Sequence, residues 1–250
     1  MKKDFASDYE RFEQEHWWFR ARRLILRSLI RRMDWPHAPS ILEIGVGSGE
    51  NLYALYPPDA RLVGVEPESL SAERAQGKGA IPVYIATVES LPPEIPDASL
   101  DGITMFDVLE HTRDDRLALA CVARKLKPGA RLILSVPAYM FLWGQQDEVS
   151  LHFRRYTRPT LRAALRDSGF EVERCCYFNT LLFPAIAGFR LLARLRPPKK
   201  LGSGSDFEYS AGPINHVMYH LFAFERHLLR WMNLPFGISV YAEARWKGSP

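Results

Sequence analysis

The chain has 250 residues, of which 47% are hydrophobic, 25% charged and 12% aromatic, with only three cysteines. This composition excludes a disordered, a collagen-like and a disulfide-stapled protein. Lys and Arg outnumber Asp and Glu by 33 to 29, and the resulting net charge of +4 is too small to indicate a nucleic-acid partner.

The cysteines and the apolar runs indicate the compartment. Cys121, Cys175 and Cys176 show neither the even count of a disulfide framework nor the spacing of a metal clip, which favours a reducing, cytoplasmic location. The polar residues 1–15 lack the apolar core of a secretory signal. The longest apolar run, 181–189, is too short to span a bilayer.

Strands and helices are predicted to alternate along most of the chain. An amphipathic helix over 20–33, with arginines on one face, comes first. The predicted strands cover 40–45, 61–66, 81–86, 100–106, 130–136, 170–177 and 237–246, and the helices between them cover 50–56, 69–76, 113–126 and 160–168. Because the strands are apolar on both faces, they predict a doubly wound, mostly parallel α/β sheet covered by helices.

About 60 residues, 178–236, separate the last two predicted strands. They contain an apolar helical block over 180–195, a polar loop over 197–213 with a mobile tip at 202–205, and a second helix over 214–232. We expect this insert to cap the carboxyl edge of the sheet. The predicted organisation is an N-terminal lid and helix (1–39), a core (40–177), the cap (178–236) and the last core strand (237–250).

A glycine-rich loop, Gly45-Val46-Gly47-Ser48-Gly49, directly follows the first strand. Glycines allow tight turns and close approach of a ligand, and the following helix would offer free N–H groups. The second strand ends at Glu66, about 20 residues further on, where a carboxylate can accept hydrogen bonds from both ribose hydroxyls. The pair predicts a nucleoside ligand with few or no phosphates.

The motifs ILEIGVGSG, VGVEP, ATVESLP, FDVLEHTRDD and LKPGARLILSVP, in this order over residues 40–137, resemble class I S-adenosylmethionine-dependent methyltransferases. The resemblance implies a Rossmann-like seven-stranded sheet with an antiparallel last strand, and S-adenosylmethionine as cofactor. It also implies that Gly45, Gly47 and Gly49 wrap the amino-acid part of the cofactor, while Glu43 orients the loop and Glu66 holds the ribose. The remaining implied contacts are Pro67 after the ribose acid, Thr87, Val88 and Glu89 at the adenine, and Phe106 and Asp107 at the sulfonium.

One motif departs from the family pattern. Many members have Gly-Asp where this chain has Ala86-Thr87, so the adenine contact is expected from the Thr87 hydroxyl and the Val88 backbone. A nicotinamide dehydrogenase is disfavoured because the third glycine of the loop falls one residue early.

Aromatic and basic residues precede the first core helix in His16-Trp17-Trp18-Phe19-Arg20-Ala21-Arg22. Trp18 and Arg22 are candidates to cover the cofactor, since aromatic faces attract a sulfonium cation and a guanidinium binds a carboxylate. The alternative is a helix that simply packs on the sheet with a solvated arginine face. A nucleic-acid role is not predicted.

Candidate catalytic and acceptor residues lie at the ends of the fourth, fifth and sixth strands and in the segments that follow them. His152 is the predicted general base, with Tyr156 and Asp107 completing the candidate catalytic set. Further candidates for the acceptor site are Tyr139, Arg155, Tyr177 and Asn179. A surface loop with a structural ion pair remains the alternative. His111 suits a packing role, and the spacing does not support an H-x-x-E-type zinc site, so no metal is predicted.

The predicted function is methyl transfer to a small-molecule acceptor by in-line displacement at the sulfonium. One alternative is attack on another sulfonium carbon, such as an intramolecular cyclisation that releases methylthioadenosine. Another is a non-catalytic binding or membrane-peripheral subunit. The cap could line an apolar acceptor site, form a homodimer, contact a membrane beside Arg190, Arg194 and Arg196, or add to the core.

Overall fold

The computed structural model describes residues 10–193 and 212–248. The strands are β1 (Ser40–Ile44), β2 (Arg61–Glu66), β3 (Val83–Ile85), β4 (Leu100–Phe106), β5 (Leu126–Pro137), β6 (Phe170–Phe178) and β7 (Ser239–Trp246). The helices are α1 (Trp17–Ile30), α2 (Ser69–Gly77), α3 (Asp115–Lys125), α4 (Gln145–Val149), α5 (Arg158–Asp167), α6 (Phe183–Ala193) and α7 (Pro213–Leu228). A short helical segment over 10–15 precedes α1.

The seven strands form one sheet in the order β3-β2-β1-β4-β5-β7-β6. β7 runs antiparallel to both β5 and β6, and the other neighbours are parallel. The predicted Rossmann-like fold is confirmed. After β3 the chain returns to the other side of β1 to form β4, so the topological switch point lies between β1 and β4, where doubly wound sheets bind their ligands.

Two apolar cores lie on opposite faces of the sheet, because successive strand side chains point to opposite faces. In β1, Leu42 and Ile44 belong to the core that includes Leu119 of α3 and Leu161 of α5. Ile41 belongs to the other core, which includes Ile25 of α1 and Phe222 of α7. This burial on both faces explains the nearly continuous apolar strands.

The helix predicted over 50–56 is wrong, since these residues form turns. The N–H groups of Tyr53 and Leu55 reach the carbonyls of Gly49 and Asn51, but no continuous ladder follows. Pro57 disfavours helical backbone at the residue before it and ends the segment. Leu52 and Leu55 nevertheless fill the core below the glycine loop.

Other boundaries shift by a few residues. α1 begins at Trp17, where the buried His16 caps it by accepting a hydrogen bond from the N–H of Trp18 through Nδ1 at 3.1 Å. α6 begins at Phe183, and α7 ends at Leu228. The predicted polar loop lies outside the described residues over 197–211, as do its tip at 202–205 and Arg194 and Arg196.

Candidate active site

The glycine loop needs glycine for its backbone and for its contacts. Gly45, Gly47 and Gly49 have φ values of +76°, +55° and +91°, which L side chains rarely adopt. A Cβ on Gly45 would lie 2.5 Å from Cγ2 of Val108, and one on Gly47 would lie 2.7 Å from Oε1 of Glu13. A residue with a side chain would therefore strain the backbone at these positions, and at Gly45 and Gly47 its Cβ would also be too close to a neighbouring side chain.

Glu66, at the carboxyl end of β2, faces this loop. Its Oε2 accepts a hydrogen bond from the N–H of Gly47 at 2.9 Å, and its Oε1 accepts one from the N–H of Glu68 at 3.2 Å. Burial raises the pKa of Glu66 to about 7, and the nearby Glu13 and Glu68 carboxylates add to the rise. The predicted ribose acid thus lies beside the predicted glycine loop.

Glu13 is a loop contact that the sequence analysis missed. Its Oε2 accepts hydrogen bonds from the N–H of Ser48 at 3.0 Å and from the Ser48 hydroxyl. The side chain is buried, and burial raises its pKa. Nothing in the polar segment 10–15 distinguishes this glutamate from its neighbours, so only the tertiary structure reveals that the segment covers the loop.

Glu43, at the end of β1, is fully enclosed. Its Oε2 accepts a hydrogen bond from the Tyr56 hydroxyl at 2.7 Å, and that hydroxyl lies 2.6 Å from Oγ1 of Thr104. The Asn51 side chain also hydrogen-bonds to this carboxylate and opposes the effect of burial on its pKa. Burial raises the pKa of Glu43 to about 8. A role for Glu43 in orienting the glycine loop remains a prediction.

Arg22 of α1 reaches the carboxyl end of β4, where its Nη1 donates to Oδ2 of Asp107. The guanidinium also lies 4.6 Å from the ring centroid of Trp18. Asp107 has a left-handed φ of +56°, and its N–H donates to the Ser135 carbonyl at 2.8 Å. Trp18, Arg22, the buried Phe106 and Asp107 therefore meet at the edge where β1, β2 and β4 end.

His152 lies in a network centred on Asp147. The fully buried Asp147 accepts hydrogen bonds from Nδ1 of His152 at 2.8 Å and from Nε and Nη2 of Arg155 at 2.7 and 2.8 Å. The N–H of Gly144 donates to it at 2.8 Å. Burial alone would raise the pKa of Asp147, but the hydrogen bonds from His152 and Arg155 hold it well below its usual range. The carboxylate fixes the orientation of the imidazole.

Glu110 and His111 lie against His152, although they are about 40 residues away in the chain. The His111 and His152 rings are 4.5 Å apart in an edge-to-face arrangement. Glu110 is fully buried, and neither of its carboxylate oxygens has a hydrogen-bond partner among the described residues. Burial raises the pKa of Glu110 to about 8. The sequence analysis gave this glutamate no role.

The family model for a methyltransferase domain matches residues 10–174, which is more than half of the chain. The chain belongs to this methyltransferase family. A "Probable S-adenosylmethionine-dependent methyltransferase" of Mycolicibacterium smegmatis is 26% identical over 64% of this chain and 62% of its own length. The ubiquinone biosynthesis O-methyltransferase of Pseudomonas paraeruginosa is 28% identical over 54% of this chain and 65% of its own length.

A solved structure of a SAM-dependent methyltransferase from Archaeoglobus fulgidus has a TM-score of 0.60, with 18% identity over 95% of this chain and 99% of that one. This likeness concerns the fold.

The chain matches only 60–62% of the length of the first curated relatives. The site fits S-adenosylmethionine, because a glycine cradle and a strand-end acid lie together at the carboxyl edge of the sheet.

The predicted adenine contacts lie next to β2 and β3. Thr87 precedes a 3-10 turn over Val88–Ser90, and the N–H of Ala86 donates to the Glu66 carbonyl at 3.3 Å. Val88 is buried, whereas Pro67, Thr87 and Glu89 are exposed. The polar groups of this loop are thus accessible, and their contacts with adenine remain predictions.

Two of the predicted acceptor residues are occupied by protein partners. The Tyr156 hydroxyl donates to Oδ2 of Asp115 at 3.0 Å, and Nη1 of Arg155 donates to the Ala138 carbonyl at 3.0 Å. These contacts favour the structural role that the sequence analysis kept as an alternative. Catalysis by Tyr156 and substrate binding by Arg155 remain predictions.

The other predicted acceptor residues border the cap. Tyr139 stacks on Tyr177 at 5.1 Å and on Phe141 at 5.1 Å, and its ring meets Phe183 of α6 edge-on at 5.9 Å. Asn179, at the end of β6, is fully buried, and neither atom of its amide has a partner among the described residues. An aromatic wall and one unsatisfied amide thus lie between the sheet and the cap.

The cap and α1 contact each other. The N–H of Trp17 donates to Oδ1 of Asn215 at 2.7 Å, and the Arg20 guanidinium lies 4.7 Å from the ring centroid of Tyr219. Arg190 points back toward the sheet, with Nη1 bonded to the Leu142 carbonyl and 3.6 Å from Asp147. Within the described residues, no helix is long and apolar enough to cross a bilayer.

Proposed function

We propose that this protein transfers the methyl group of S-adenosylmethionine to an oxygen atom of a small-molecule acceptor. The meeting of the glycine loop, Glu66 and Asp107 at the carboxyl ends of β1, β2 and β4 carries the proposal. The similarity to the ubiquinone biosynthesis O-methyltransferase supports oxygen as the acceptor atom.

The cofactor, when bound, supplies a methyl group already activated by a sulfonium. The backbone of the glycine loop holds its amino-acid part, and Glu66 accepts hydrogen bonds from the ribose hydroxyls. Thr87, Val88, Glu89 and Pro67 flank the adenine, and Phe106 and Asp107 border the sulfonium. Trp18 and Arg22 cover this region from α1 and exclude water from it.

Positioning of the acceptor against the methyl group is the main task of the protein. An in-line approach at about 3–3.5 Å makes displacement fast without covalent help. The His152–Asp147 pair holds an imidazole ready to take the proton of a hydroxyl. The stacked Tyr139 and Tyr177, together with the buried Asn179 amide, suit an acceptor that has an aromatic or apolar body and a polar group.

Incubation of the purified protein with methyl-labelled S-adenosylmethionine tests this function. We expect S-adenosylhomocysteine to form only when a phenolic or other hydroxylated acceptor is added, with the label in the acceptor. Release of methylthioadenosine without an acceptor would instead support intramolecular cyclisation. Calorimetry that detects no binding of either nucleoside would support a non-catalytic subunit.

We also propose that the outer surface of the cap contacts a membrane on its cytoplasmic side. Large apolar side chains on α6 and α7 are exposed, including Phe189 at 66%, Leu192 at 64% and Phe224 at 54%, and Trp231 after α7 is 80% exposed. Large exposed apolar side chains grouped on one insert are typical of an interaction surface. The Arg230 guanidinium lies 5.1 Å from the Trp231 ring centroid, a pairing suited to an anionic lipid surface.

A further inference from the structure

Three side chains with metal-binding atoms meet beside the carboxyl end of β4. Glu110 and His111 lie in a 3-10 turn over Leu109–His111, and His152 lies after α4. Their potential ligand atoms all lie within 4.8 Å of one another. A backbone hydrogen bond from Phe153 N–H to the Glu110 carbonyl, at 2.8 Å, holds the two segments together.

The Glu110 carboxyl group is buried without a side-chain hydrogen-bond partner among the described residues, although the Arg22 and Arg155 guanidinium groups and its own backbone N–H act on it. It has 0% relative exposure, and neither oxygen accepts or donates a hydrogen bond within the described part of the chain. An unsatisfied buried polar group is costly, and an isolated buried charge is more so. A cation between Glu110 and the two histidines would satisfy the carboxylate. We propose that Glu110, His111 and His152 bind one divalent transition-metal ion.

The surroundings of both histidines suit this role. Nδ1 of His152 is engaged by Asp147, which leaves Nε2 as the ligand atom. Metal-bound histidines are commonly oriented by a carboxylate or a carbonyl on the other ring nitrogen. Asp147 is itself held by Arg155 and by the N–H of Gly144, and the backbone of Ser150 bonds to His111. The imidazoles are therefore positioned by the protein before any ion arrives.

The ligand set selects the class of ion. Two imidazole nitrogens and one carboxylate oxygen suit Zn²⁺, Co²⁺, Mn²⁺ or Fe²⁺, whereas Ca²⁺ and Mg²⁺ prefer sets made only of oxygen. Three protein ligands also leave coordination positions open, as in catalytic rather than structural sites.

The role of the ion rests on the proposed methyl transfer. A hydroxyl group of the acceptor takes the open position, where the positive charge lowers its pKa and its proton leaves to solvent. The resulting oxygen attacks the methyl carbon, so that a C–O bond forms, the C–S bond breaks, and sulfur keeps the electron pair. In this scheme His152 is a metal ligand rather than the general base. Substrates with a free phenol or enol are the class that the site serves.

Calorimetry on the full chain, without an affinity tag and after removal of metals with EDTA, tests the site directly. We expect one equivalent of Zn²⁺ or Co²⁺ to bind and Mg²⁺ to bind at least tenfold more weakly. The visible spectrum of bound Co²⁺ should indicate nitrogen ligands. At 100 times the dissociation constant, Zn²⁺ should raise Tm by about 5–10 °C.

Matched variants assign the binding to this cluster. Glu110→Gln keeps the shape of the side chain, and His111→Ala removes a second ligand, so each should weaken binding at least tenfold and abolish the rise in Tm. The control is the double variant His216→Ala/His220→Ala, because these exposed residues lie 3.0 Å apart on α7 and could bind metal adventitiously. This control variant should still bind one equivalent of Zn²⁺ per chain. Circular dichroism checks that every variant is folded.

The inference is overturned if no equivalent binds, if Glu110→Gln and His111→Ala bind like the unaltered chain, or if only the α7 variant loses binding. A separate assay compares turnover with and without EDTA at saturating cofactor. Metal binding without any methyl transfer would leave the site in place and refute the proposed function. Methyl transfer by a protein that binds no metal would refute the metal site and leave the proposed function in place.

Discussion

Two carboxylates face the same glycine loop, and they differ in what the sequence reveals about them. Glu66 ends a predictable strand at a predictable distance from the loop, and its side chain meets the N–H of Gly47 at 2.9 Å. Glu13 comes from a polar segment without a motif, yet it binds the next residue of the loop, Ser48. Both side chains are buried, and burial raises the pKa of each. The Glu13 carboxylate raises the pKa of Glu66 further.

Replacement of Glu66 by Ala should weaken binding of S-adenosylhomocysteine by about 1–3 kcal/mol, because a charged hydrogen-bond partner of the ribose is lost. The ionised form is the better acceptor, and its pKa is raised to about 7, so affinity of the unaltered protein should rise about tenfold from pH 6 to pH 8. Calorimetry at both pH values measures this. Glu66→Gln should bind S-adenosylhomocysteine weakly, and its affinity should not show the tenfold rise between pH 6 and pH 8. A dissociation constant of Glu66→Ala equal to that of the unaltered protein would contradict the ribose role.

His152→Ala should lower turnover by about 10²-fold or more while the cofactor dissociation constant stays within about twofold. The side chain lies in the Asp147 network, apart from the glycine loop, so cofactor binding does not depend on it. Steady-state kinetics with an identified acceptor and calorimetry with S-adenosylhomocysteine test the two parts. His220→Ala, an exposed histidine on α7, is the control and should retain full turnover. Normal turnover of His152→Ala would remove this residue from the site.

At the scale of elements, α1 links three parts of the molecule. Its apolar face, including Ile25 and Ile30, packs into the core on one face of the sheet. Arg22 reaches Asp107 at the end of β4, and Trp17 bonds to Asn215 of the cap. The two interpretations of this segment, packing helix and cofactor cover, are compatible, because Arg22 lies on the buried face of the helix with Ile25 and still reaches Asp107. The cofactor-covering role remains a prediction.

Arg22→Ala should lower the free energy of unfolding by about 2–4 kcal/mol, since it leaves a largely enclosed carboxylate, Asp107, without its ion-pair partner. The expected loss of unfolding free energy is smaller than for a fully buried ion pair, because the Asp107 side chain is 22% exposed. Urea denaturation measures the change. Arg27→Ala alters the exposed face of the same helix and should change the free energy by less than about 0.5 kcal/mol. Equal effects of the two variants would contradict a specific role for the pair.

At the scale of the whole molecule, the sheet supplies the cofactor edge and the insert between β6 and β7 supplies both an inner and an outer surface. The inner surface places Phe183 against Tyr139 and Phe222 against Phe178. The outer surface presents Phe224 and Trp231 to solvent.

The double variant Phe224→Ser/Trp231→Ser should lower co-sedimentation with vesicles of phosphatidylcholine and phosphatidylglycerol by about tenfold. Both side chains are exposed, so the fold should persist. Leu117→Ser on α3, where the leucine is 52% exposed away from the cap, is the control. Equal sedimentation of all proteins would contradict the membrane proposal. A dimer that the double variant dissociates, detected by light scattering, would identify a second copy as the occupant of the surface.

The sequence alone determined the sheet and the cofactor motifs of this protein. Strand alternation, the glycine loop and Glu66 are local patterns, and a parallel sheet brings the carboxyl ends of its strands to one edge whatever the remaining sequence is. The helix predicted over 50–56 failed because a periodic pattern cannot show that Pro57 and the packing of Leu55 favour turns.

Only the tertiary structure decided which distant side chains meet. Glu13 covers the glycine loop, Tyr156 bonds to Asp115, and Glu110 lies beside His152, and none of these pairs has a sequence separation that a local motif records. The tertiary structure also decided which carboxyl groups are buried. Burial matters because the pKa of a carboxyl group such as Glu110 depends on the groups that surround it in space and not on its neighbours in the chain. For that reason the sequence predicted no metal, whereas the folded chain assembles a set of ligands for one.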